Sequence, residues 1–466
     1  MSLSDADVQR YVDEREGRSS FDAREVAQAF LERIGRLDPR LGAVIATTPE
    51  VAAADAARVT AARSAGAALP LDGMPVLLKD NIDVKDVRST VGSRCFLDRI
   101  AAADAAVVER LRAAGAIVLG KAHLHEFAFG ATSNSAMGTC RNPWDLSRIP
   151  GGSSGGSGAA LAADFAVVAL GTDTGGSIRL PSGYNGVSGI RPTLGAVSNR
   201  GVQPLAPTFD TVGPMARAVD DLAAAYRVMA GYDDADPYSL HRPGGDARPE
   251  SFGGLRVALL EEYFFEGVDE ERRTALRTAV AALEAAGARR VRVSPAGLEK
   301  AYRECTLMVR AEALATYAEL IADEDAPMGA DVRHRLGLAR EISGRDYAAM
   351  LHFRYEWRRE IERLFAEHVD ILITPTTPSD PPAISSSEML ATTTHLTRMT
   401  HPWSFAGLPA MSIPCGFSAA GFPIGMQLAA APWNEEKLYA TGSAFQRATE
   451  WHRRRPSFSM VEGAVG

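Results

Sequence analysis

Lysine and cysteine are scarce in this chain, and no long apolar run occurs. Only five lysines (Lys79, Lys85, Lys121, Lys300 and Lys437) stand among 50 basic residues, so arginine carries nearly all the positive charge. The formal net charge of −8 argues against a general polyanion binder, which needs a basic face. Four cysteines (Cys95, Cys140, Cys305 and Cys415) are scattered, with no pair at metal-ligand or redox spacing, and such usage fits a reducing compartment. The most apolar stretch, 158–171, is interrupted by Asp164 and is too short to span a bilayer. The opening MSLSDADVQRYVDEREG is acidic and polar, unlike a secretory signal or transit peptide. A cytoplasmic enzyme or enzyme subunit is the expectation.

What is present is an alternation of apolar runs and helical patterns. Residues 21–65 read as helical; 74–84 (MPVLLKDNIDV) read as a strand that ends in charge. Helix followed by buried strand recurs at 104–122 and at 157–173. A strand at 254–261, a helix at 270–287 and a strand at 289–293 follow, then a helix at 355–366 and a strand at 369–378. Such alternation predicts an α/β fold, a mostly buried sheet covered by helices on both faces. The polar stretch 233–254 reads as a long surface connection, and a single large domain over 1–466 is the simplest organisation.

Two glycine–serine loops stand out, PGGSSGGSG at 150–158 and TDTGGSIRLPS at 172–182. As a phosphate loop, Gly151 to Ser157 has serine where lysine is needed to meet the phosphate charge. As a nucleophile elbow, Gly152-Ser153-Ser154-Gly155-Gly156 matches G-x-S-x-G, but NPWDLSRIP before it is no strand. No histidine among His334, His352, His368, His395 and His401 is specially placed to serve such a serine. Ordinary turns are the plain alternative. Two loops whose Ser153 and Ser177 bracket a helix and a buried strand are harder to read that way.

Lys79 ends the run Met74-Pro75-Val76-Leu77-Leu78. Burial there disfavours its charged form and lowers its pKa, and a neutral amine can activate a serine nucleophile. An ion pair with Asp80 or Asp83 is the competing reading of the same residue. His123-x-His125-Glu126 is a weak metal signal, with no further strand-end ligands to complete it.

These segments strongly resemble the amidase signature family. The resemblance runs from about 25 to 445 through PGGSSGGSGAALAA, GTDTGGSIRLPSGYNGVSGIRPT, MPVLLKDNID, GKAHLHEFAFG, RNPWDLSR, FDTVGPMAR and GLPAMSIPCGFSAAGFPIGMQL. It implies one amidase-signature domain, with a catalytic core at about 70–220 and a variable helical region at about 230–365. It implies a Ser–Ser–Lys catalytic set of Lys79, Ser153 and Ser177, with the Gly152–Ser153 peptide cis. Ser177 would be the nucleophile, and Lys79 would act on it through Ser153. Thr174, Gly175, Gly176 and Ser177 resemble the oxyanion hole, with Ser154, Asp173 and Arg179 as supports. Phe129, Met137, Tyr184 and Trp403 are the expected substrate neighbours.

The implied activity is hydrolysis of a carboxylic or urea-like amide through a Ser177 acyl-enzyme, without metal or cofactor. The alternatives are the A subunit of a tRNA-dependent Glu/Asp amidotransferase, a glutaminase, and a carboxybiuret- or allophanate-type hydrolase. Expected partners are a small amide substrate and a second copy in a homodimer, with no direct nucleic-acid or membrane contact.

Overall fold

The computed structural model describes residues 3–15, 17–244, 251–386 and 389–457. Its frame is an 11-stranded mixed sheet. In chain order the strands are β1 (Val44–Thr47), β2 (Pro75–Lys79), β3 (Ile117–Ala122), β4 (Val168–Thr172) and β5 (Ser188–Arg191). They continue with β6 (Val212–Ala216), β7 (Arg256–Leu259), β8 (Arg289–Arg290), β9 (Ile371–Pro375), β10 (Ala410–Phe417) and β11 (Pro423–Ala429). Across the sheet the order is β1-β3-β2-β4-β6-β5-β10-β11-β9-β7-β8. β2 lies between β3 and β4 and is parallel to both, whereas β4–β6, β6–β5 and β5–β10 are antiparallel. Every residue of β2 (PVLLK), β4 (VALGT) and β9 (ILITP) is buried. Continuous apolar runs of this kind belong to strands covered on both faces.

The apolar side chains gather into two large cores. One contains Val76, Leu77 and Leu78 of β2 with Val168 and Leu170 of β4; the other surrounds Phe264, Trp357, Trp403 and Phe405. The first places the end of β2, and Lys79 with it, deep in the molecule.

The helical reading of 21–65 holds for two helices, Ala23–Leu41 and Pro49–Ser64, but misses a strand between them. Helix Ala23–Leu41 stops at Gly42, whose φ of 65° is left-handed and whose N–H reaches Asp38 O at 2.8 Å. The chain then forms β1, antiparallel to β3, before Pro49 opens the next helix. A four-residue edge strand inside an alanine-rich pattern leaves little periodic signal. Elsewhere the elements fall where expected with altered ends. The strand beginning at 74 ends at Lys79, and the helix at 355–366 extends over Gly344–Glu367, started by a Ser343–Asp346 capping box. Only Arg289–Arg290 of the 289–293 run is strand. The connection at 233–254 has no helix or strand among its described residues, and its positions 245–250 lie outside them.

Helix Gly155–Ala162 packs its first turn directly on the backbone at the end of β3. Gly156 N–H donates to His123 O at 3.0 Å, and a Cβ on Gly156 would collide with Ala43 O and with His123 N and O. Backbone atoms cannot step aside as a side chain can. Gly156→Ala is therefore expected to lose about 3 kcal/mol of stability in urea unfolding. Gly35→Ala, which meets open space inside a helix, should gain about 0.5–1 kcal/mol.

Candidate active site

Two parallel strands that are neighbours in the sheet, and the loops after them, build the site. β2 delivers Lys79 at its last residue, and β4 ends at Thr172 just before the loop 173–178. The serine loop 151–154 lies against both. Its Ser154 N–H donates to Ser177 O at 3.1 Å, and Ser154 Oγ donates to Thr172 O at 3.2 Å. His125 N–H donates to Ser153 O at 3.0 Å. The Gly152–Ser153 peptide is cis.

Lys79 is fully buried. Its Nζ donates to Ser153 Oγ at 2.7 Å and to Thr172 Oγ1 at 2.7 Å, with Thr172 O at 3.4 Å. The competing ion pairs are not made. Asp80 Oδ1 lies 3.1 Å from Lys121, its Oδ2 accepts from Thr90, and Asp83 pairs with Arg99 at 2.6 Å. Successive residues of an extended chain face opposite sides, so Asp80 turns toward Lys121 on β3 and away from the amine of Lys79. Burial pulls the Lys79 pKa from 10.5 down to about 7, against the opposing pull of the Asp173 and Asp210 carboxylates.

Between Ile149 and Thr193, Ser177 is the one residue that is not buried. It opens, with Gly152, Thr174 and Gly175, onto a pocket. Among the described residues Ser177 Oγ has no hydrogen-bond partner, so the expected Ser153–Ser177 link is not closed here. The Lys79–Ser153 link is. Catalytic hydrogen bonds are commonly long or misaligned before substrate arrives, and the Ser154–Ser177 backbone contact holds the two loops side by side.

Asp173 organises the second loop. Its carboxylate receives Arg179 Nε and NH2 at 2.9 Å each, Gly176 N–H at 2.7 Å and Ile178 N–H at 3.2 Å. Arg191 NH1 donates to Asp173 O and lies 3.4 Å from Oδ1. These cations hold the Asp173 carboxyl well below the usual range despite complete burial. The expected oxyanion donors are corrected by this arrangement at one position, because Gly176 N–H is consumed by Asp173. The N–H groups of Thr174, Gly175 and Ser177 have no partner among the described residues. Gly176 has a φ of 137°, and a Cβ there would strike Thr400.

Of the four expected substrate neighbours, only Phe129 lines the pocket. Met137 sits in the turn of the hairpin formed by Asn134–Ser135 and Gly138–Thr139. Tyr184 is fully buried in a small cluster with Ile149 and Leu180, and Trp403 is buried against Phe264. Aromatic bulk drew these two side chains into the cores. The walls come instead from helices Leu298–Thr316 and Ala330–Gly337, through Thr306, Val309, Arg310 and Arg335, with Thr397 and His401 beyond. Burial, with the Arg179 cation adding to it, pushes His401 down to about 3, and its Nδ1 lies 2.9 Å from Thr306 Oγ1. It is a neutral wall at ordinary pH. Thr172 and Arg191 also escaped the sequence reading, although both stand within or beside the glycine–serine motifs. The His123–Glu126 segment spends its polar groups locally: His125 Nε2 faces Asp331 at 3.3 Å, and Glu126 accepts from Ser93 at 2.6 Å and from Gly329 N–H.

A buried amine thus sits on two hydroxyls, beside a serine that opens to a pocket. The family model described as Amidase matches residues 25–439, and the chain belongs to that family, enzymes that act on amide C–N bonds. It is similar to the A subunit of the Glutamyl-tRNA(Gln) amidotransferase of Moorella thermoacetica, 39% identical over 95% of this chain and 97% of that one. A chain from a solved vestigial protein complex, reported to reveal the origins of an s-triazine catabolic enzyme, superposes with a TM-score of 0.86. It is 32% identical, over 96% of this chain and 98% of its own length. The solved A subunit of the Thermotoga maritima amidotransferase gives 0.77 at 30% identity, over 96% and 92%. Among the described residues no helix is long and apolar enough to cross a membrane.

Removing Arg179 takes the bidentate partner from a buried carboxylate and leaves it only the longer contact with Arg191. Arg179→Met is expected to cost about 3–5 kcal/mol in urea unfolding, with activity lost in the fraction that remains folded.

Proposed function

We propose that this protein is an amide hydrolase in which Lys79, Ser153 and Ser177 act as one relay. The observation that carries the reading is the buried Lys79 amine donating to Ser153 Oγ at 2.7 Å with no carboxylate in contact. Neutral Lys79 takes the Ser153 proton as Ser153 takes that of Ser177, and Ser177 Oγ attacks the amide carbon. The N–H groups of Thr174, Gly175 and Ser177 meet the oxygen as it gains charge. Ser153 returns a proton to the departing amine, the C–N bond breaks, and water releases the acid from the acyl-enzyme. Ser154, Asp173 and Arg179 position the two loops and touch no substrate. The core at about 70–220 supplies this machinery, and the helices of about 230–365 supply pocket walls.

A second reading, glutamine hydrolysis as the A subunit of an amidotransferase, is supported by the curated relative at 39% identity. The closer superposition on the chain linked to s-triazine catabolism, 0.86 against 0.77, favours a small-molecule hydrolase. Hydrolysis of simple or aryl amides by the purified chain alone supports that reading; ammonia release from glutamine only with a tRNA-binding partner supports the other.

Ser177→Ala and Lys79→Ala should each lower kcat/KM by about 10^4-fold or more. A fully active Ser177→Ala protein contradicts the assignment. Because the uncharged amine is the base, log kcat/KM should fall with unit slope below an apparent pKa near 7. A rate independent of pH between about 5 and 8 would count against Lys79 as the base.

A further inference from the structure

The pocket that holds Ser177 carries two arginines that the relay does not use. Arg310, on helix Leu298–Thr316, has no hydrogen bond or ion pair among the described residues, although it is only partly exposed. Arg335, 2% exposed, gives Nε to Asp331 Oδ1 at 3.1 Å and NH1 to Phe129 O at 3.2 Å. Its NH2 is buried without a partner. Burial depresses the pKa of both groups, which is the mark of cations short of counter-charge. Asp331, behind the lining, pairs with Arg335 Nε and is shared with His125, which leaves Arg335 NH2 and the whole of Arg310 without an anionic partner among the described residues. Thr393, Thr394 and Thr397 also line this pocket, and no Asp or Glu does so among the described residues.

A guanidinium with free donors in a narrow pocket is built to receive a carboxylate. The relay already supplies everything a neutral amide needs, so the unpaired Arg310 and the free NH2 of Arg335 only cost stability unless an anion meets them. A departing ammonia offers no handle, so for a primary amide the anion must lie on the acyl side. Resting on the amidase reading above, we propose that Arg310 and Arg335 receive a carboxylate at the far end of the acyl chain. The pocket then selects monoamides of dicarboxylic acids. An α-ammonium on the same chain would meet two guanidiniums and no described carboxylate, so the zwitterion glutamine is disfavoured.

Three amides separate these features: glutaramate, which is glutamine without its ammonium; L-glutamine itself; and pentanamide, which lacks both charges. Ammonia release should give glutaramate a kcat/KM about 100-fold above either of the others. Arg310→Gln and Arg335→Gln should each lower the glutaramate value by about 30-fold or more, raising KM, while leaving pentanamide nearly unchanged. Pentanamide or glutamine turned over as well as glutaramate overturns the proposal, as do variants that lose all three alike. Arg310 has no hydrogen bond or ion pair to lose among the described residues, so its variant keeps the test valid should Arg335→Gln misfold. Glutarate binding by calorimetry reads the arginines independently of Ser177. Binding weakened in both variants supports the proposal even if no amide is hydrolysed, which would instead sink the amidase reading. Equal binding to all three proteins, or none at millimolar glutarate, contradicts it.

Discussion

An amine denied both water and a carboxylate is the constraint on which this structure turns. Taking an ammonium into a dry interior is unfavourable, and the group answers by giving up its proton. Lys79 reaches that condition because β2 is buried along its whole length and because the acidic residue next to it in the chain, Asp80, faces Lys121. Two hydroxyls, those of Ser153 and Thr172, are what the amine finds. Neither can neutralise an ammonium, and both can exchange hydrogen bonds with an amine.

The surrounding polar groups keep that environment fixed. Asp173 and Arg179 are equally buried, yet they are paired and hydrogen-bonded on nearly every side, with Arg179 also reaching Thr400 O, Gln427 and Ser404. Their charges therefore persist where the charge on Lys79 does not. One fold holds both situations side by side, and the difference lies in geometry: a bidentate carboxylate for the arginine, lone hydroxyls for the lysine. The paired set fixes the loop that presents Ser177, and the unpaired amine is the group that the proposed relay uses as its base.

Much of this was legible in the sequence. The run MPVLL announced a buried strand, and a lysine at its end announced a perturbed amine, since apolar content is read directly from residue type. The two glycine–serine loops were legible because glycine pairs beside serines are costly unless the backbone needs them. What escaped was set by tertiary placement. Whether Lys79 met Asp80 or Ser153 depended on which side of β2 each faced and on Lys121 arriving from β3. β1 was hidden within alanine-rich helix, and the donation of Gly176 N–H to Asp173 cannot be seen from residue order. Arg310 and Arg335 come from helices far along the chain, in a protein whose many arginines give no one of them distinction. Tyr184 and Trp403, expected near the substrate by resemblance, proved to be core.

The scarcity of lysine makes the central claim directly observable. With five lysines in the chain, selective 13C labelling of lysine side chains gives few resonances, and a Lys79→Met protein assigns the one that matters. Titration of that resonance should give a pKa near 7 in the folded protein. A value near the ordinary 10.5 would mean a charged ammonium at neutral pH and would contradict the account.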